Sequence, residues 1–341
     1  HALAVRTLLV DLLQLKIGVQ IIPICRLVFR PHQGQLVFQV LNTRPEYHGF
    51  PGSILFRPVN VRHTPRCATR CCGSGWHAKL QLGFRKGPGR TILAERLREG
   101  PLTVQRALYP EHDLCHVYLL HPPGGVAGGD QLNINVSVRQ DASALITTPG
   151  ATKFYRSVGP MAVQRQSLEV TEGSLEWLPQ ENILFPGAGV ELSTIVHLGG
   201  NAVFIGWEIN CLGRPVIDEQ FDCGSATFSF SLIREQLPVL HERMVIDGIA
   251  GLYGPACLRG RPVVGSLYAT TSDTGLLDTI RQLVPDDHRQ ELGATLVDGL
   301  LVVRYLGDST ANARYLFTEI WKLLRPALLQ RPPCTPRIWN T

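Results

Sequence analysis

Apolar residues recur at every second position over long parts of this chain, and that period constrains the fold more than any other feature. Leu132, Ile134, Val136 and Val138 alternate with Asn133, Asn135, Ser137 and Arg139, so one set faces a core and the other faces water or a second layer. Similar runs recur at 91–97, 102–109, 115–121, 162–170, 190–198, 202–210, 226–234 and 262–270, separated by Gly, Pro, Asp and Ser clusters that favour turns. These spans predict strands. Toward the C-terminus the period lengthens. Leu276, Leu277, Ile280 and Leu283 fit a short helix, and Tyr315, Leu316, Ile320, Leu323 and Leu324 fit a longer one that Pro326 should end or kink. Between them, 294–306 reads as one strand or a pair. The expected class is mainly β, a layered or β-helix-like stack of short strands with a small C-terminal α/β part.

The regular alternation begins near Gly75. Residues 1–74 carry nine Lys and Arg against only Asp11 and Glu46, with scattered Pro and Cys and no sustained period. They read as a poorly ordered extension or upstream read-through, with a transit-like or partner-binding arm as the alternative. Residues 75–341 read as one domain with two more acidic than basic side chains. A nucleic-acid partner is not expected, because its electrostatic footprint should sit on the folded domain. The most apolar stretch, 8–29, is interrupted by Asp11, Lys16 and Arg26, charges that a membrane-spanning helix would bury at a cost of several kcal/mol. Nine cysteines in 341 residues are too sparse for a disulfide scaffold and read as reduced thiols of a cytoplasmic protein. No methionine precedes Met161, so the chain beginning at His1 reads as a fragment.

Single motifs are weak. The glycine-rich run 121–130 lacks the Gly-Lys-Ser/Thr ending and βαβ context of a phosphate loop, so it reads as a tight connection with unusual dihedrals, closed by Asp130. His112, His116 and His121 invite a metal reading, but His116 and His121 are an odd number apart and face opposite sides of a strand. Cys67, Cys71 and Cys72, with His63 and His77 nearby, do not match paired CxxC zinc spacing. Lys153 and Tyr155 have no partnered base or nucleophile motif beside them. The acidic candidates are Asp113, Asp130, Glu176, Glu181 and Glu208. Glu176 and Glu208 stand apart because each lies in an apolar, Trp-containing strand (SLEWLP and GWEIN), where a buried carboxylate needs a partner, a metal or a proton.

In order along the chain, GWHAKL at 75, GPLTVQRALYPE at 100, CHVYLLHPPGGVAGGD at 115, TTPGATKFYRS at 147, LEWLPQENILFPGA at 175, WEINCLGRP at 207 and PRIWNT at 336 resemble the UreD/UreH family of urease accessory proteins across 75–341. The resemblance implies a non-enzymatic scaffold working with UreF, the GTPase UreG and the urease apoprotein; the charges within 8–29 independently leave no membrane association expected. It also implies an internal polar passage for nickel in transit and no tightly bound cofactor. Carried onto this chain, it places Asp130 and Glu176 on the passage, Thr152 and Asp113 beside it, and Glu208 as a further candidate. Oxygen ligands suit transit, since carboxylates, hydroxyls and water release nickel more readily than a closed Cys and His site. The competing readings are a pure adaptor, using the Tyr155 and Arg156 region and the C-terminal tail, and a β-rich metal-dependent hydrolase.

Overall fold

The computed structural model describes residues 25–29, 36–40, 75–254, 256–285, 288 and 290–340. The chain divides into two compact units, His1–Thr69 and Arg70–Thr341. In the first, β1 (Cys25–Phe29) pairs antiparallel with β2 (Leu36–Val40). This pair was not expected, because five-residue runs are too short to show a sustained period. The cysteine cluster at 67–72 and most of the basic excess lie outside the described residues.

The second unit is mainly β and coils between two sheets. After β3 (His77–Lys86), β4 (Thr91–Glu99), β5 (Thr103–Val104) and β6 (Cys115–Leu120), the chain runs through β7 (Gln131–Val138), β8 (Ser143–Thr147) and β9 (Thr152–Phe154). A second turn follows with β10 (Ala162–Thr171), β11 (Ser174–Leu178) and β12 (Asn182–Leu184). A third adds β13 (Gly189–Gly199), β14 (Val203–Arg214) and β15 (Glu219–Gln220). The chain then returns to the first sheet with β16 (Ser225–Arg234) and β17 (Leu237–Asp247). The first sheet has the order β17-β16-β13-β10-β7-β3-β4. Its five central strands are parallel, and β4 and β17 lie antiparallel on the edges. In the second sheet β6, β8, β11 and β14 are parallel. Each turn thus gives one long strand to each sheet, with the short β9 and β12 pairing parallel beside β14 in the second, which is the β-helix-like stack expected.

Stacking sets the interior. Val136 lies in register with Leu168, then Val196, then Leu232, an apolar ladder between the sheets. One ladder along, Ile134, Gln166, Thr194 and Phe230 align, and the next aligns Leu132, Gln164, Leu192 and Phe228. The interior therefore turns polar at one level.

A short helix α1 (Gly248–Tyr253) leads into the C-terminal part, where β18 (Val263–Thr270), β20 (Leu300–Gly307) and β19 (Leu292–Val297) extend the second sheet antiparallel. The span 294–306 is a pair of strands. Two helices, α2 (Thr274–Leu283) and α3 (Thr310–Leu329), belong to a second core that includes Trp207, Phe317 and Trp321. Each starts on a side-chain cap: Asp273 accepts from the Gly275 and Leu276 amides, and Ser309 from the Asn312 amide. Pro326 neither ends α3 nor marks its last residue. It lies in the last turn, and the Gln330 amide donates to the Pro326 carbonyl at 3.1 Å to close the helix.

Two other expectations change. Of 102–109, only Thr103 and Val104 are in a strand, with Leu108 bridging His116, because Pro101 and Pro110 bracket an irregular edge. Strand β17 was not anticipated: Ile246 is its one buried residue, so it shows little alternation. The turn before it places Glu235 and Gln236 at φ 47° and 66° without the usual Gly or Asn.

Candidate functional site

The polar level of the interior encloses a cavity of about 300 Å³. Gln164 and Gln166 reach it from β10, Thr194 from β13, Glu208 from β14 and Asn182 from β12. Two loops containing His121, Gly124, Gly125 and Thr148 to Ala151, with Thr152 and Lys153 of β9, also line it, and their part-exposed residues make its rim. The glycine-rich run has the dihedrals its sequence suggested, with Gly124 at φ 78° and Gly129 at φ 94°. Trp177 Nε1 and Gln180 Nε2 are buried without a hydrogen-bond partner among the described residues, and both residues line this cavity. Such groups suit a space that admits water.

A second cavity of about 350 Å³ lies beyond, lined by Glu208, Asn210, Phe230, Glu242, Tyr268 and Arg304 among others. Glu208 is common to both. Its carboxylate accepts a hydrogen bond from the Thr194 hydroxyl on the facing sheet. Burial pushes its pKa up to about 7, opposed by the Thr194 hydrogen bond and the charge of Arg304. Glu208 keeps some accessible surface, and the two cavities account for where that surface faces.

The other sequence candidates divide by face. Strand β14 is buried on both sides, with Phe204 in the core between the sheets and Ile205, Trp207 and Ile209 in the core with α3. Glu208 falls on the inner face. Glu176 aligns with Leu145 and Ile205, so it points outward to α3, on the opposite side of the same sheet. There its carboxylate accepts from Trp321 Nε1 at 2.6 Å and from Arg325 Nε at 3.0 Å. Arg325 also donates to Glu111 at 2.7 Å, and Glu111 meets His116 Nε2 at 2.7 Å. Burial pushes the Glu176 carboxyl up, against the charge and hydrogen bonds of Arg325.

Asp130 has both oxygens engaged by backbone, one by the Trp76 amide and one by the Ala127 amide, each at 2.8 Å. It ties the glycine-rich turn to the start of β3 and lines neither cavity. Asp113 pairs with Arg331, which donates from Nη1 at 2.7 Å; this hydrogen bond, against burial, holds its carboxyl below the usual range. Thr152 lines the first cavity while its amide donates to the Glu181 carbonyl at 2.9 Å. Of the five candidates, Thr152 and Glu208 share a cavity; Asp113, Asp130 and Glu176 occupy three separate hydrogen-bonded positions.

Sequence reasoning missed Gln164, Gln166, Thr194, Glu242 and Arg304. Two of them had a readable signal: in β10, Ala162, Leu168 and Val170 are inward positions, and Gln164 and Gln166 interrupt that same alternation. Glu242 and Arg304 carry no such mark, because β17 is an exposed edge and β20 reads as a plain apolar strand. Among the described residues no three of His, Cys, Asp and Glu are grouped to hold a metal ion, and no helix is long and apolar enough to cross a membrane. Cys115, Cys211, Cys223, Cys257 and Cys334 are free thiols.

Fold and cavities together define a coiled two-sheet protein whose apolar interior turns polar at one level, where Glu208, hydroxyls and amides line the first cavity and Glu242 and Arg304 join Glu208 in the second. The family model described as UreD urease accessory protein matches residues 77–340. The urease accessory protein UreD of Aliivibrio fischeri (strain ES114) is 45% identical over 279 residues, covering 79% of this chain and 97% of that protein. That of Alcanivorax borkumensis is 46% identical over 273 residues, covering 78% and 93%, and that of Escherichia coli 45% over 275, covering 79% and 98%. The chain belongs to the UreD urease accessory protein family.

Proposed function

We propose that this chain acts in urease maturation as a non-enzymatic scaffold through whose interior nickel passes to the urease apoprotein, in a cytoplasmic complex with partners of the UreF and UreG kind. The observation that carries this reading is Glu208, whose carboxylate faces both cavities at the polar level between the two sheets. Nickel is cargo here. A site of one carboxylate, the Thr152 and Thr194 hydroxyls and amide oxygens binds a divalent ion loosely enough to release it. In this proposal Asp130, Asp113 and Glu176 serve the passage indirectly: Asp130 holds the rim turn, and the other two fasten the C-terminal segment to the sheet.

The adaptor reading draws on exposed apolar residues near the loops, Val158 at 90% and Val216 at 96% exposure, which suit protein contacts without any passage. The two separate experimentally in cells that express urease and its accessory proteins with the full chain, a deletion, or Glu208→Ala. Passage requires that deletion abolish urease activity and that Glu208→Ala lower it while complex formation, read by co-purification, stays normal. Full activity with Glu208→Ala leaves the adaptor.

A further inference from the structure

The second cavity contains a fixed cation where a cation is proposed to pass. Arg304 on β20 makes an ion pair with Glu242 on β17, so one side chain of the second sheet grips one of the first. Its Nη1 also donates to the Ser266 hydroxyl at 2.5 Å and the Tyr268 hydroxyl at 3.1 Å. Tyr268 in turn donates to Glu242 at 3.0 Å and stacks on Phe230 with ring centroids 3.7 Å apart. The guanidinium thus has a defined seat.

Two carboxylates, Glu208 and Glu242, line this cavity together with Arg304. Two negative charges in a partly buried space repel strongly, and a positive charge placed with them relieves that repulsion. Arg304 is coupled electrostatically to Glu208 as well as paired with Glu242. A divalent ion leaving the first cavity by way of Glu208 meets the same two carboxylates and competes with the guanidinium for them.

We infer that Arg304 is a tethered stand-in cation, which pairs with Glu242 and offsets the charge of Glu208 when no metal is present and displaces nickel from them as it leaves. This rests on the passage reading above. The arrangement holds the carboxylates in place between ions, and it weakens the hold of the cavity on nickel so that the ion moves on. An arginine suits the task because it stays charged at every physiological pH and its fork engages a carboxylate while its stem remains packed. No bond is made or broken; one cation exchanges for another.

The test measures nickel retained by the full chain, purified in complex with its partners, after incubation with nickel and desalting. Arg304→Met and Arg304→Gln remove the charge and should raise retention on the order of tenfold, the scale of one neighbouring charge, while slowing urease activation. Arg304→Lys keeps the charge and should retain nickel at the wild-type level. If either neutral variant that still forms the complex retains no more nickel than wild type, or if Lys behaves like Met, the inference is overturned. Glu208→Gln, read by the nickel delivered to urease in cells, separates the two claims. Normal nickel delivery by Glu208→Gln removes the passage itself, whereas failed delivery together with unchanged retention in the Arg304 variants removes only the role of Arg304.

Discussion

Arg325 on α3 donates to the Glu176 carboxylate on β11 at 3.0 Å, across 149 residues of sequence, with both side chains almost wholly buried. The same guanidinium reaches Glu111 and the Pro332 carbonyl, so one residue joins the C-terminal helix, the segment after it and the β coil. Buried pairs of this kind are costly to break because the remaining charge has no partner. Arg325→Met should destabilise the folded chain by about 3–5 kcal/mol in denaturant unfolding. Adding Glu176→Met should recover part of that loss. An Arg325→Met chain as stable as wild type would show that the network carries no structural load.

Glu111 gives the same network a pH signature. Burial works against its charge, but hydrogen bonds from His116 and Arg325, with the charge of Arg325, hold its pKa at about 2 against a reference of 4.5. A folded-state pKa below the unfolded value contributes stability that is fully present above the unfolded pKa and lost as pH falls toward the folded one. The stability difference between wild type and Glu111→Gln should therefore be largest above pH 5 and shrink as pH falls toward 2, by about 3 kcal/mol in all. A difference that stays constant over that range would remove the ion-pair account.

Backbone geometry makes a sharper contrast. Gly213 has φ 86°, and a Cβ there would lie 2.4 Å from the Glu219 carbonyl oxygen. Gly293 has no atom within 4 Å of such a Cβ. Gly213→Ala should cost more than about 1 kcal/mol and Gly293→Ala should change stability by less than about 0.5 kcal/mol in either direction. Equal effects in thermal unfolding would contradict the local geometry.

These positions also show where sequence reasoning stopped. The alternation of Leu132 through Val138 was legible because β7, inside the first sheet, has one face in the core. In β14 both faces are buried, so GWEIN could mark Glu208 as a buried carboxylate but not say which way it points. Glu176 looked equivalent, yet it lies on the outer face and Glu208 on the inner, a distinction set by packing against α3. Asp130 was recognised as a carboxylate closing the glycine-rich turn, but its two amide partners depend on the return of the chain to Trp76. Arg304 and Glu242 meet only because β20 and β17 belong to different sheets brought face to face, a juxtaposition that no local pattern encodes.

If nickel crosses the interior, a plug in the first cavity stops it. Gln164→Trp with Gln166→Trp places two indoles in the space they line while leaving the outer surface unchanged. Urease purified from cells carrying this variant would be analysed for nickel per active site, alongside co-purification of the accessory complex. Passage through the interior predicts a normally assembled complex and urease that lacks most of its nickel. Urease fully loaded with nickel by a plugged, normally assembled complex would contradict it.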